Sequence, residues 1–402
     1  MDKKENMRDW VKLEKQYFMD TGQRRLEVIL VKGEGVYVWD NLGKKYLDFI
    51  AGWATNNLGH CHPIIVAALT EQANQIILGS NDVYTIPAIQ LAELLIQQTG
   101  LSKVFIANSG AEANEAAIKL ARKYGKLYLN GAYEVISTIN SFHGHTLAMV
   151  AATGKPAYQE PFTPLPEGFL NVPYNSIESI KQATSNRTCA VLLEPIQGEG
   201  GVIVPSKYYL QEVQKWCNQK DILLILDEIQ TGFGRTGSLF ACQDFEVQPD
   251  ILTVGKGLGG GVPISAVIAN SKAAVFGPGD HGSTFGGNAL NCAAAYASFK
   301  WILDNNIVEH AHKMGLYFLN KLTILHNKYN NIVQVRGKGL LLAVEFNKPI
   351  AMNIVHTCRD NGLLINPVKP TAIRFMPTLI IEHYHIDEAI KILDKAIDAN
   401  IH

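Results

Sequence analysis

Between residues 103 and 255 short apolar runs alternate with longer stretches of helical period, and no other feature of the chain restricts its fold as much. "KVFIAN" (103–108), "EVISTIN" (134–140), "CAVLLEP" (189–195), "DILLILDE" (221–228) and "DILTVG" (250–255) read as strands. "GAEANEAAIKLARKYG" (110–125) and "SKYYLQEVQKWCNQK" (206–220) read as helices between them. Near-continuous Val/Ile/Leu strands separated by helices predict an α/β fold with a mostly parallel sheet covered on both faces, since such strands have no polar side to show to water. After about Asn288 the pattern changes. Helical stretches near 288–304 and 307–328 lead into "VQVRGKGLLLAVEF", "LLINPV" and "AIRFMP", and a closing helix starts near Ile386. That reads as a smaller α+β unit. The opening stretch "EVILVKGEGVYVWDNLGKKYLDFI" has its own strand pattern with a turn at Asp40–Gly43, and is expected to pack with the smaller unit. The expected division is an N-terminal segment (1–45), a large domain (46–290) and a C-terminal small domain (291–402).

Composition sets the limits on partners. The 402 residues leave room for a large domain and a smaller one, and 47% hydrophobic against 18% charged residues describes an ordinary globular chain. Thirty-six basic against 37 acidic residues give a net charge of -1, so no bulk field attracts nucleic acid or an anionic membrane. The opening "MDKKENMRDW" is too polar for a secretory signal, and no apolar run approaches a bilayer span. Six cysteines without a C-x-x-C pair suit reduced thiols, so a cytoplasmic location is expected.

The stretch "ILTVGKGLGGGVP" (251–263) surrounds one lysine, Lys256, with glycines just past an apolar run. It is not a P-loop: Asp250 stands where the first glycine belongs, and Gly257 where Ser or Thr should follow the lysine. Gly255, Gly257 and Gly260 match G-x-G-x-x-G, but so do Gly232, Gly234 and Gly237, which makes neither match specific. In open parallel sheets ligands sit beyond the carboxyl ends of the strands. There this chain places a Ser109-Gly110-Ala111 helix start, Glu199 among glycines, Asp227, Glu228 and Gln230, and finally Lys256. A helix start holds phosphate, a buried strand-end carboxylate pairs with a protonated ring nitrogen, and a lysine forms a Schiff base with an aldehyde. Pyridoxal 5'-phosphate needs all three. On this reading the glycines let the backbone turn tightly under a flat ring and leave the lysine room to swing.

The chain resembles the acetylornithine/ornithine group of subgroup III, fold-type I, PLP-dependent aminotransferases, most closely its acetylornithine branch. The resemblance rests on "YVWDNLGKKYLDFIAG", "NLGHCHP", "NSGAEANEAAIKLAR", "SFHG", "EPIQGEGG", "LILDEIQTGFGRTG", "KGLGGGVP", "GSTFGGN" and "RFMPTL", which follow one another in that order over nearly the whole length. It implies Lys256 as Schiff-base lysine and acid/base, Asp227 as ring-nitrogen partner, and Gln230 as a contact to the ring hydroxyl. It implies that Ser109, Gly110 and Ala111 hold the phosphate, that Phe142 stacks on the ring, and that Glu228 and Ile229 border it. Thr284 would reach the phosphate of a neighbouring subunit, so a homodimer or a dimer of dimers is implied. Ser283 would touch substrate. Glu199 would mask Arg374 until a dicarboxylate arrives, and Arg374 would then take the α-carboxylate of glutamate. The implied reaction moves an amine from an ω-amino donor, N-acetylornithine before ornithine, succinylornithine or 4-aminobutyrate, to 2-oxoglutarate, as in arginine biosynthesis.

Other readings compete for the same residues. His60, Cys61 and His62, like His143 and His145, suggest a metal, but no further cluster completes a ligand set, so none is expected. A nicotinamide-dependent oxidoreductase would use one of the glycine matches, yet strand-like "PISAVIAN" follows the second and no clean helix follows the first. A non-enzymatic binding protein of the same fold would not need Lys256 29 residues past Asp227. The chain also departs from the family it resembles. The family pattern is Phe-His-Gly-Arg, whose arginine grips the donor's distal carboxylate, whereas this chain reads "SFHGHT" with His145 in that place. Histidine offers one donor where arginine offers a charged fork, so a different donor or a different grip is expected. Trp53, Thr55 and Ala289 are smaller departures.

Overall fold

The computed structural model describes residues 9–22 and 26–401. The start of the expected N-terminal segment, 1–8, and residues 23–25 lie outside the described residues. Three antiparallel strands, β1 (Leu30–Glu34), β2 (Tyr37–Asp40) and β3 (Lys45–Asp48), come first, with the expected turn at Asp40–Gly43 between β2 and β3. The central sheet contains β4 (Lys103–Ala107), β5 (Glu134–Thr138), β6 (Phe169–Val172), β7 (Thr188–Leu193), β8 (Leu223–Asp227), β9 (Ile251–Val254) and β10 (Ser265–Ala269). Its order is β4-β10-β9-β8-β7-β5-β6, and β10 alone runs antiparallel to its neighbours. The expected mostly parallel sheet is therefore present, with one edge strand, β6, that its mild apolarity concealed.

Every residue of β5, β7, β8, β9 and β10 is buried, which is why those segments lack a polar alternation. Their side chains still alternate between two cores. Leu224, Leu226, Leu252 and Val254 enter one, and Leu223, Ile225 and Ile251 the other, so both faces are covered. The helix Gly110–Tyr128 lies on the second face, and the helices Ile86–Thr99 and Tyr209–Lys220 help cover the first. The helix Ala289–Asp304 packs on Pro63–Ala73 and Ile86–Thr99.

The C-terminal part carries β11 (Ile332–Lys338), β12 (Leu341–Phe346), β13 (Leu363–Leu364), β14 (Asn366–Lys369) and β15 (Ala372–Phe375). Strands β11, β12, β15 and β14 form an antiparallel sheet backed by the helices Ile307–Lys328, Ala351–Asp360 and His383–Asp398. Strand β13 instead pairs in parallel with β3 and joins the two ends of the chain. Arg235 ties this part to the rest. It is fully buried and donates to the carbonyls of Leu340 (3.1 Å) and Pro377 (2.5 Å) and to Asn57 Oδ1 (2.9 Å). Burial pulls its pKa down to about 9. These bonds hold "RFMPTL", and with it Arg374, against the edge where the parallel strands end.

Candidate active site

At the carboxyl edge of the sheet a cavity of about 450 Å³ opens between the strand ends. That size suits a small cofactor with part of a substrate. Lys256 enters it from the short 3₁₀ helix Lys256–Leu258, just beyond β9, with φ at 43°. Burial lowers its pKa, Glu199 opposes that shift, and Arg374 reinforces it. A lysine so placed gives up its proton more readily than one in water. Two of the neighbouring glycines fit closely against the protein itself, while Gly261 lines the cavity. A Cβ on Gly257 would run into the Asn57 amide, and one on Gly260 into the Ile65 side chain.

Asp227 closes β8 and faces the same cavity. Its Oδ2 accepts hydrogen bonds from Asn114 Nδ2 (2.7 Å) and His143 Nδ1 (2.8 Å), and its Oδ1 accepts one from the Ile229 amide (3.1 Å). Asn114 is held in turn, since Thr253 donates to its Oδ1 at 2.7 Å. With three donors the carboxylate has one orientation. Sequence reading overlooked Asn114 and took His143 only as a possible metal ligand. Asn114 follows Gly110 by four residues, one helical turn, and so lies on the same face of that helix. His143 follows the aromatic Phe142 directly.

The helix Gly110–Tyr128 points its start at the cavity, capped by Ser109 Oγ, which accepts from the Glu112 amide at 3.3 Å. The amides of Gly110 and Ala111 have no acceptor within the helix, so they and the helix dipole remain available to an anion. Phe142 and Ile229 line the cavity as well. Glu194, also overlooked, directly follows β7, much as Asp227 ends β8. Its carboxylate accepts from the Phe142 amide (3.0 Å) and the Gly198 amide (3.1 Å). Burial pushes its pKa up to about 7 against the pull of His143. Glu194 thereby joins the loop of Phe142 to the loop that carries Glu199.

Arg374 stands in β15, only 1% exposed, and pairs with Glu199 Oε1 at 2.6 Å. Its two terminal nitrogens also donate to Gln230 Oε1 (3.1 Å) and Asn366 Oδ1 (2.8 Å), while its Nε has no partner among the described residues. Burial alone would raise the Glu199 carboxyl, but Arg374 and Lys256 together hold it down at about 2. The two groups therefore form a charged pair whose Glu199 member lines the cavity. His145 lines the cavity with its ring 5.1 Å from Phe142 and 5.9 Å from Tyr158.

Besides Arg374, which meets the cavity through its partners Glu199 and Gln230, three expected site residues do not line it. Glu228 uses both carboxylate oxygens on the amides of Ala241 and Cys242 and on Thr231, so its side chain braces the fold instead of bordering a ligand. Ser283 holds its hydroxyl between Asn108 Nδ2 and the Gly286 amide, both at 3.0 Å. Thr284 is exposed, on a loop next to Ser283.

Pyridoxal phosphate fits what is here. The unpaired helix-start amides suit its phosphate, the oriented Asp227 carboxylate its ring nitrogen, and the Lys256 amine its aldehyde. The family model of the class-III aminotransferases matches residues 18–397. The chain is 49% identical to the acetylornithine aminotransferase of Methanocaldococcus jannaschii over 96% of its own length and 97% of that protein's. It is 48% identical to the acetylornithine aminotransferase of Methanothermobacter thermautotrophicus, covering 96% and 98%. The fold superposes on the ornithine aminotransferase from Toxoplasma gondii ME49 with a TM-score of 0.94 at 35% identity, covering 99% of this chain and 96% of that one. For the acetylornithine aminotransferase from Elizabethkingia anophelis the TM-score is 0.87 at 38% identity, covering 97% and 98%. The chain thus belongs to the class-III aminotransferases, and it is a transaminase that works with pyridoxal phosphate.

Proposed function

We propose that this transaminase takes the terminal amine of an ω-amino donor, N-acetylornithine foremost, and passes it to 2-oxoglutarate to give glutamate, as arginine biosynthesis requires. The names of the relatives at 48–49% identity support the donor. The observation that carries the reading is the Glu199–Arg374 pair. While Glu199 neutralises Arg374, the reacting end of the site suits an amine on a carbon without a carboxylate. When 2-oxoglutarate or glutamate arrives, its α-carboxylate can displace Glu199 and take the bidentate arginine. One lysine and one pocket then serve two substrates of unlike charge. Ornithine and 4-aminobutyrate stay as second readings because His145, where the family carries arginine, packs against rings.

Bound pyridoxal phosphate supplies the electrophilic carbonyl and the electron-withdrawing ring that the transfer needs. Gly110 and Ala111 would hold its phosphate by their amides, and Phe142 and Gln230 would border the ring. Asp227, fixed by Asn114 and His143, keeps a negative charge facing the ring nitrogen. Lys256, with its proton loosened by burial, is suited to take a proton from the carbon bearing the amine and return it on the other side of the exchange. Thr284, exposed and absent from its own chain's cavity, would serve the site of a second copy, so the working form is proposed to be at least a homodimer in the cytoplasm. The large sheet and its helices would form one domain, and the two ends of the chain the smaller one.

A donor panel with each half-reaction followed in a single turnover tests the reading. N-acetylornithine is expected to react fastest among the amines, with 2-oxoglutarate as acceptor. A protein that reacts with α-amino acids but with no ω-amine would overturn it.

A further inference from the structure

With Arg374 engaged by Glu199 and an exposed histidine at position 145, nothing described so far grips the carboxylate that an amino-acid donor carries away from its reacting amine. A second cation stands next to the cavity, against the lining residue Glu199. Lys155 is partly buried, and its Nζ donates to the Glu199 carbonyl at 3.0 Å. The same Nζ lies 5.3 Å from the centre of the Tyr158 ring, and that ring neighbours His145. Among the described residues it forms no ion pair with a carboxylate. An ammonium has three donors, and one is used here.

The backbone beneath this lysine is pinned. Gly154 bridges to Ile139, and its carbonyl accepts from the Asn140 amide at 2.7 Å. A Cβ on Gly154 would collide with the Thr138 carbonyl, so only glycine allows this approach. Lys155 therefore starts from a fixed point at the end of β5, the strand that also leads into Phe142 and His143. Burial lowers its pKa, with Glu199 and Glu194 opposing and Arg374 and Lys369 adding to the shift. A half-buried cation with unused donors gains from an incoming anion.

We propose that Lys155, with Tyr158 and His145 as its aromatic wall, binds the donor's distal carboxylate and so sets the preference for amino-acid donors over plain amines. This rests on the transaminase reading above and names the part of the substrate that the second cation recognises. The Lys155–Glu199 contact gives the lysine a further effect, because a carboxylate drawn to Lys155 sits against the loop that masks Arg374. A lysine that merely held the loop would affect all donors alike, and that difference separates the two roles.

The test compares Lys155→Met and Lys155→Arg with the parent holoenzyme, using N-acetylornithine and N-acetylputrescine, the same amine without the carboxylate. In Lys155→Met the KM for N-acetylornithine should rise about ten- to a hundred-fold, the value of one charge-assisted hydrogen bond, while N-acetylputrescine is unchanged. Lys155→Arg should keep the preference. Calorimetric binding of N-acetylnorvaline, which keeps the carboxylate but lacks the reacting amine, should weaken by the same factor in Lys155→Met. Equal losses for both amines, or an unchanged preference in Lys155→Met, would overturn the proposal. If the parent enzyme turns over no ω-amine, the donor reading fails instead, and calorimetry still reports on Lys155.

Discussion

Replacing Glu199 by Gln removes the charge that masks Arg374 while keeping an oxygen in its place. The size of the effect follows from the pair. The Glu199 carboxyl is held at about 2 instead of its ordinary 4.5. A shift of that size corresponds to ~3 kcal/mol. Because the Glu199 side chain is 30% exposed, solvent screening reduces the usable part to about 1–2 kcal/mol. A lowered folded-state pKa means that the pair is fully present above about pH 4.5 and is lost as the pH falls through about 2. Activity between pH 6 and 9 should therefore show no titration from Glu199, and the substitution should act alike across that range. With the mask weakened, Arg374 is open to α-carboxylates at all times. The ratio of kcat/KM for glutamate to that for N-acetylornithine should rise roughly five- to thirty-fold. Stopped-flow traces of the two half-reactions, read from the cofactor's absorbance, measure the two terms separately. A ratio that stays within about two-fold of the parent value would show that Glu199 does not gate Arg374.

Other substitutions probe the remaining parts of the site. Lys256→Ala should keep the fold but lose turnover, and borohydride should no longer attach the cofactor to the chain; near-normal turnover would remove Lys256 from the chemistry. Asp227→Ala should slow the reaction far more than Asp227→Glu, and should also lower the melting temperature. It leaves the donors of Asn114 and His143 buried without an acceptor, at a cost of about 1–3 kcal/mol. Equal rate losses in the two variants would make Asp227 a structural residue only. His145→Arg should improve the N-acetylornithine half-reaction, because it adds a charged fork to the cavity wall near Lys155, and should leave the glutamate half-reaction within a few-fold. If both halves are unchanged, position 145 does not meet the carboxylate.

Several features of this molecule depend on neighbours along the chain and are legible there. The buried strands Thr188–Leu193, Leu223–Asp227 and Ile251–Val254 are apolar throughout because both faces are covered, and a helix start follows a strand at Ser109. Since ligands gather where parallel strands end, Asp227 and Lys256 stand out from their position relative to those runs. Other features depend on which distant surfaces meet. The strand Phe169–Val172 is only partly buried at the sheet edge, so its sequence carries little apolar signal. The helix Ala289–Asp304 is apolar with little amphipathic period, and its packing on Pro63–Ala73 and Ile86–Thr99 is decided by the finished fold. The same holds for the chemistry. Asn114 and His143 meet Asp227 only because a helix start and two strand ends converge. Arg374 reaches Glu199 only because β15 is pressed against the sheet edge, and Lys155 comes under Glu199 only because Gly154 packs on Thr138 and Ile139. Periodicity records whether a residue is buried and on which face; the partner it finds there is settled by close packing between segments far apart in the chain.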